Sequence, residues 1–220
     1  LRRRRYRARP MFFLLSLFLA TAKLPLIEIP ATRGGSDSFV VFVSGDGGWA
    51  KIDKSISAIL ASNGMPVVGV NSLQYFWTKR TPDSAARDLQ SIIETHLGAR
   101  KSVVLVGYSR GADVLPAMIA RMPQETQSKI RLLVLLAPSP RVEFEFHVAD
   151  WMRDTKRGML VKPELERVKA KTLCVWGEDD RDSLCTRLAL PNVQVVTLRG
   201  SHHFEGDYAQ LAKIILEALK

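Results

Sequence analysis

Hydrophobic and polar positions along this chain follow two rhythms that take turns. Phe39 to Val43 and Val67 to Val70 are continuous apolar runs, as expected of strands buried on both faces. Ser102 to Val106, Ile130 to Leu136, Thr172 to Trp176 and Val193 to Leu198 read as further strands, and Leu26 to Ile29 as a candidate edge strand. Between these runs the spacing becomes helical. Ile52, Ile56, Ile59 and Leu60 share one face, and Asn63-Gly64 ends that helix with Gly64 as a left-handed cap. Thr81-Pro82 opens another helix, with threonine at the N-cap and proline at the first position. Its apolar stripe is Ala85, Leu89, Ile92, Ile93 and Leu97. Ala112 to Arg121 predicts a further helix. Asp207 to Leu219 predicts the last, with a stripe at Tyr208, Leu211, Ala212, Ile215 and Leu219.

Strands separated by helices of this length predict an α/β fold, a mostly parallel, doubly wound sheet with helices on both faces. Residues 23–220 contain no repeat, no low-complexity tract and no linker, so they read as one domain. The widest gap between core strands, Ala137 to Lys171, is expected to hold a helix and a small cap.

The first residues have a different character. Arg2, Arg3, Arg4, Arg5, Arg7 and Arg9 precede an apolar stretch at Phe12 to Ala20 that is short for a bilayer span. Ala20-Thr21-Ala22 follows as a small-x-small site. Residues 1–22 therefore read as a secretory signal peptide, with Met11 as a candidate start, and predict a periplasmic protein. The chain's net charge of +10 owes six units to that segment; the rest carries 26 basic and 22 acidic groups, a net +4. An excess of that size is no nucleic-acid footprint. Export also bears on Cys174 and Cys185, which could pair across a short loop or stay as free, partly buried thiols; the spacing leaves both open.

The chemistry centres on Val103 to Gly111. An apolar run stops on Gly107-Tyr108-Ser109-Arg110-Gly111, and a helical pattern follows. Strand, sharp turn with a central serine, helix is the context in which Gly-x-Ser-x-Gly carries a nucleophile, and it predicts an α/β-hydrolase fold. In that fold the acid and then the histidine follow the serine along the chain. Glu178-Asp179-Asp180-Arg181-Asp182 lies after the Thr172 to Trp176 strand, and Gly200-Ser201-His202-His203 after the Val193 to Leu198 strand. Of the four histidines, His96 falls near a helix end and His147 in the cap region. Counting from the preceding glycines, Asp180 is favoured as the acid with Asp182 as competitor, and His203 as the base with His202 as runner-up. Two backbone N–H groups must meet the developing oxyanion. Arg110 supplies one at the start of its helix. Asp46, in the loop Ser44-Gly45-Asp46-Gly47-Gly48, supplies the other. This scheme calls on no cofactor and no metal.

Several longer strings go beyond the fold's demands. Ser44 to Trp49, Asn71 to Trp77, Gly107 to Pro116, Phe144 to His147 with Trp151, Asp182 to Cys185 and Gly200 to Phe204 resemble the bacterial VirJ and AcvB virulence-protein family. The resemblance runs from about Leu24 to the C-terminus. The residue after the nucleophile is often apolar in that family; here it is Arg110. The resemblance implies a periplasmic α/β-hydrolase acting on aminoacylated phosphatidylglycerol, lysyl-phosphatidylglycerol above all, at the inner membrane surface. It also implies a link to type IV secretion proteins.

A lysyl ester is cationic, so acids near the serine could select it. Asp46 and Asp113 are the candidates, although Asp113 could equally anchor the turn. Tyr75, Phe76 and Trp77 are expected to end a strand beside the site, facing acyl chains or walling a pocket. Two other functions fit the same residues, a non-catalytic periplasmic adaptor and a general carboxylesterase.

Overall fold

The computed structural model describes residues 24–145 and 158–220. The expected signal peptide, His147 and Trp151 lie outside the described residues. The chain runs β1 (Leu26–Ile29), β2 (Ser38–Val43), α1 (Lys51–Ser62), β3 (Val67–Val70), α2 (Ser72–Tyr75), α3 (Pro82–Leu97), β4 (Ser102–Tyr108), α4 (Arg110–Ile119), α5 (Gln124–Gln127) and β5 (Ile130–Leu136). It continues through β6 (Arg141–Val142), β7 (Met159–Leu160), α6 (Val161–Leu165), β8 (Thr172–Gly177), β9 (Val193–Leu198) and α7 (Tyr208–Ala218).

The main sheet has the order β1-β3-β2-β4-β5-β8-β9. All its pairings are parallel except that of β1, which lies antiparallel on β3 at the edge. The periodicity marks these elements because each central strand is apolar on both sides. Val40 and Phe42 pack with Ile52, Ile56 and Leu60 of α1 and Leu211 and Ile215 of α7. Phe39, Val41 and Val43 face the other way, onto Leu89 and Ile93 of α3 and Leu115 of α4. Each such side chain removed from water is worth roughly 1.5–3 kcal/mol. Thr81 caps α3 as its sequence suggests, its hydroxyl accepting from Ser84 N at 3.1 Å. Gly64 closes α1 at φ 87°.

The strand order places the site. From β2 the chain crosses to β3 on one side and then returns to β4 on the other, so the connections diverge at the C-terminal ends of β2 and β4. In open α/β sheets that crevice is where ligands bind. The loop after β2 and the turn after β4 both open into it. The 137–171 gap holds the antiparallel β6–β7 pair and α6 among its described residues.

Tyr75 and Phe76 do not end a strand: they close the short helix α2 and are buried, 3% and 1% exposed. Phe76 packs edge-on against Tyr75 and Phe144, so an apolar run with the look of a strand is a helical turn plugging the core. Trp77 alone of the three is exposed.

Candidate active site

Ser109 sits between β4 and α4 at φ 51°, ψ −119°, a positive-φ conformation that a non-glycine residue adopts only when its surroundings impose it. The flanking glycines explain how the turn is tolerated. A Cβ on Gly107 would lie 2.5 Å from Ala112 N and Gly111 C, and one on Gly111 would collide with the Val43 carbonyl. The turn is thus wedged against the end of β2. Ser109 N donates to Leu136 O at 2.9 Å, and Asp113 N closes the first turn of α4 on Ser109 O at 3.0 Å.

The serine hydroxyl meets a histidine, and the histidine meets a carboxylate. His202 Nε2 lies 2.9 Å from Ser109 Oγ, and His202 Nδ1 lies 2.8 Å from Asp180 Oδ2. The His202 side chain is 33% exposed and that of Asp180 17%, so the relay is sheltered on the acid side and open toward the serine. With Nδ1–H donating to the carboxylate, Nε2 is left as an acceptor for the serine proton.

The favoured histidine, His203, is therefore not the one that reaches Ser109. Its Nδ1 lies 2.7 Å from Tyr108 Oη. The same hydroxyl donates to the His202 carbonyl at 3.4 Å. The register from Gly200 is one residue shorter than a count of three, because Phe204 turns into the core, 2% exposed at φ 53°, and fixes the loop from behind. Of the two candidate acids, Asp180 is the one brought to His202, and its N–H donates to Gly177 O at 2.8 Å in a tight turn. Asp182 is exposed and hydrogen-bonds to neither histidine. Acid loop and histidine loop are stacked closely: Asp179 N donates to Gly200 O at 3.0 Å, and a Cβ on Gly177 would collide with the carbonyls of Gly200 and Ser201.

The loop after β2 lies beside the nucleophile, where a Cβ on Gly45 would sit 3.3 Å from Ser109 Cβ. Ser44 is pinned from below by Ser72, whose N–H donates to Ser44 Oγ at 3.0 Å and whose hydroxyl donates to Ser44 O. Asp46 stands next to α4, and Arg110 opens that helix.

The side chains of the two candidate selector acids are otherwise occupied. Asp46 Oδ1 accepts from Arg110 Nε in an ion pair. Asp113 is 6% exposed and its Oδ1 accepts from Ser139 N at 2.6 Å, tying α4 to the loop after β5. Burial pushes the Asp113 carboxyl well above the usual carboxylate range. Neither is a free counter-charge for a cationic acyl group.

Cys174 in β8 and Cys185, just past the acid loop, form a disulfide with Cα atoms 5.7 Å apart. The bond joins both ends of the segment that carries Asp180. Sequence reasoning misses Tyr108 as the partner of His203 and Ser72 as the tie on Ser44. Both are long-range contacts between separate segments, and no local pattern marks them.

A family model described as bacterial virulence protein (VirJ) matches residues 37–220. No curated protein matches the chain. Among solved structures, MenH from S. aureus is similar with a TM-score of 0.67 at 15% identity, over 88% of this chain and 97% of that one. Est1E from Butyrivibrio proteoclasticus is similar with a TM-score of 0.62 at 14% identity, over 89% and 95%. A probable hydrolytic enzyme from Pseudomonas aeruginosa PAO1 gives a TM-score of 0.64 at 13% identity, over 89% of both chains. At these identities the likeness establishes the fold, which is that of the α/β-hydrolases.

Proposed function

The chain belongs to the bacterial virulence protein VirJ family, and from that premise we propose that it is a periplasmic serine hydrolase cleaving the aminoacyl ester of aminoacylated phosphatidylglycerol. The observation that carries the chemistry is the unbroken path Ser109 Oγ, His202, Asp180, with steps of 2.9 and 2.8 Å. His202 Nε2 takes the serine proton as Oγ attacks the ester carbonyl. The charge on the carbonyl oxygen is met by the N–H groups of Arg110 and Asp46, with the α4 dipole behind the first. Collapse expels the lipid alcohol, which receives its proton from His202, and the acyl group remains on Ser109. A water, deprotonated by His202, attacks the acyl-enzyme and frees the amino acid. Asp180 holds the imidazole in the tautomer both steps need. Hydrolases and esterases among the structural neighbours support the reaction class.

The compartment rests on the leader-like residues 1–22 and gains support from the Cys174–Cys185 bond, which persists in oxidising surroundings. The lipid substrate and a link to secretion proteins rest on family membership. A broader carboxylesterase activity is the second reading, favoured by one observation: Asp46 and Asp113 are both engaged, so no free acid among them selects a lysyl group. The adaptor reading has no use for an assembled serine, histidine and acid.

Two measurements test the proposal. An active-site fluorophosphonate should label the protein at Ser109 and fail to label Ser109→Ala; absence of labelling of the intact protein would favour the adaptor. Lysyl-phosphatidylglycerol in vesicles should be cleaved with a higher kcat/KM than a short p-nitrophenyl ester; the reverse order would favour the general esterase.

A further inference from the structure

The residue after the nucleophile carries a long cationic side chain where the oxyanion hole requires only its backbone. We propose that the Arg110 side chain is a positioning residue that locks the loop after β2, and with it the Asp46 amide, against the nucleophile turn. This rests on the hydrolase reading of Ser109 and adds to it a second use of the same residue.

The Arg110 side chain is 15% exposed, and its guanidinium joins α4 to two other segments, the loop after β2 and the segment after β6. Its Nε donates to the Asp46 carboxylate on the loop after β2. Its Nη1 donates to Glu143 O at 2.8 Å and to Glu145 O at 3.1 Å, on the segment after β6. That segment is held in turn from the loop before α3, where Arg80 N donates to Phe144 O at 2.9 Å and Lys79 pairs with Glu145 at 3.2 Å.

The loop after β2 needs such a tie. Gly45, Gly47 and Gly48 give its backbone more intrinsic conformational freedom than side-chain-bearing residues would. The bonds from Ser72 end on Ser44, and Gly48 N closing on Gly45 O at 3.0 Å shapes the turn without attaching it to α4. Asp46 is attached to α4 by Arg110. Because the donor that meets the oxyanion must be in place before charge develops, a loop free to drift by about an ångström weakens the transition state more than it weakens binding. Arginine is suited to such a tie because its rigid fork reaches a carboxylate and two carbonyls in different directions, which a lysine ammonium cannot do at once.

The experiment compares wild type, Arg110→Met, Arg110→Lys, Asp46→Ala and the Arg110→Met/Asp46→Ala pair on a short p-nitrophenyl ester and with a fluorophosphonate. All four variants keep both backbone N–H groups. Arg110→Met should lower kcat and the labelling rate by about 10²-fold, the scale of a lost oxyanion donor, with KM within about threefold of wild type. Arg110→Lys should recover part of the loss. Asp46→Ala should lower kcat in the same direction, and the double variant should lose no more than the worse single one. If Arg110→Met does not fold, Asp46→Ala removes the acceptor of the same tie from the other side and carries the test. Wild-type kcat in either folded single variant, or losses that multiply in the double, would overturn the proposal while leaving the hydrolase intact. A wild-type protein inert to both reagents would overturn the hydrolase reading and this one with it.

Discussion

Tyr108 Oη lies 2.7 Å from His203 Nδ1, so the residue before the nucleophile holds the histidine next to the base. The two neighbouring histidines thereby have separate roles. His202 faces Ser109 and Asp180, while His203 fastens its loop to β4. His202→Gln should lower kcat by at least about 10⁴-fold, in keeping with loss of a triad base. His203→Gln should keep kcat within about tenfold, because Tyr108 still donates to the His202 carbonyl. Ester hydrolysis by both variants decides the assignment, and equal losses would contradict it.

The acid loop gives a parallel contrast. Asp180→Asn leaves the loop's shape but turns the amide NH₂ or the wrong tautomer toward His202, and kcat should fall by about 10⁴-fold. Asp182 is exposed two residues away and hydrogen-bonds to neither histidine, so Asp182→Asn should stay within about twofold of wild type. Steady-state rates at neutral pH measure both.

Asp113 should prove silent in substrate choice. It is buried beneath the turn and its Oδ1 is bonded to Ser139 N, so it does not face the substrate as a free carboxylate. An asparagine can accept the same hydrogen bond. Asp113→Asn should therefore leave the ratio of rates on lysyl and neutral aminoacyl lipids unchanged within about twofold, as read by competition in mixed vesicles. A collapse of the lysyl preference would show that a charged Asp113 faces the substrate after all.

Which parts of this site can be read from the chain, and which cannot, follows from where each signal is stored. The strands, the helix starts and the nucleophile turn are local: periodicity marks β5 and β9, and the collisions that a Cβ would make at Gly107 and Gly111 are why those glycines flank Ser109. Asp180 is legible because its turn closes on Gly177 within the same loop. His202 is not separable from His203, because the choice depends on Phe204 entering a core made by α1 and α7. The side-chain partners of Asp46 and Asp113 are equally hidden, since each is set by a contact across many residues of sequence. Asn71 to Trp77 misleads because short apolar runs look alike in a strand and in a buried helical turn.

The disulfide offers a test of how far the acid loop depends on a covalent tie. Cys174 and Cys185 are 11 residues apart, with Asp180 between them. Closing a loop of that length is worth between about 2 and 3 kcal/mol in the chain-entropy account. The Cys174→Ala/Cys185→Ala variant should lose about that much in urea unfolding. It should also lose kcat more than KM, because the freed loop carries the carboxylate that orients His202.

Asp53 lies on the buried face of α1. It is 0% exposed; its Oδ2 accepts from Ala50 N at 2.8 Å, while its Oδ1 has no hydrogen-bond partner among the described residues. Burial raises its carboxyl to about 7. Since the unfolded chain has the ordinary value of 3.8, the folded state holds this proton more tightly. Its contribution to stability is complete below pH about 4, declines as pH rises, and is gone once pH passes about 7. A gap of that size corresponds to something on the order of 4 kcal/mol. Asp53→Asn keeps an oxygen for Ala50 N and never ionises. Urea unfolding should find the variant similar to wild type near pH 4 and more stable at pH 8, with the difference opening across that window. A difference that does not change with pH would mean that Asp53 stays ionised in the folded protein.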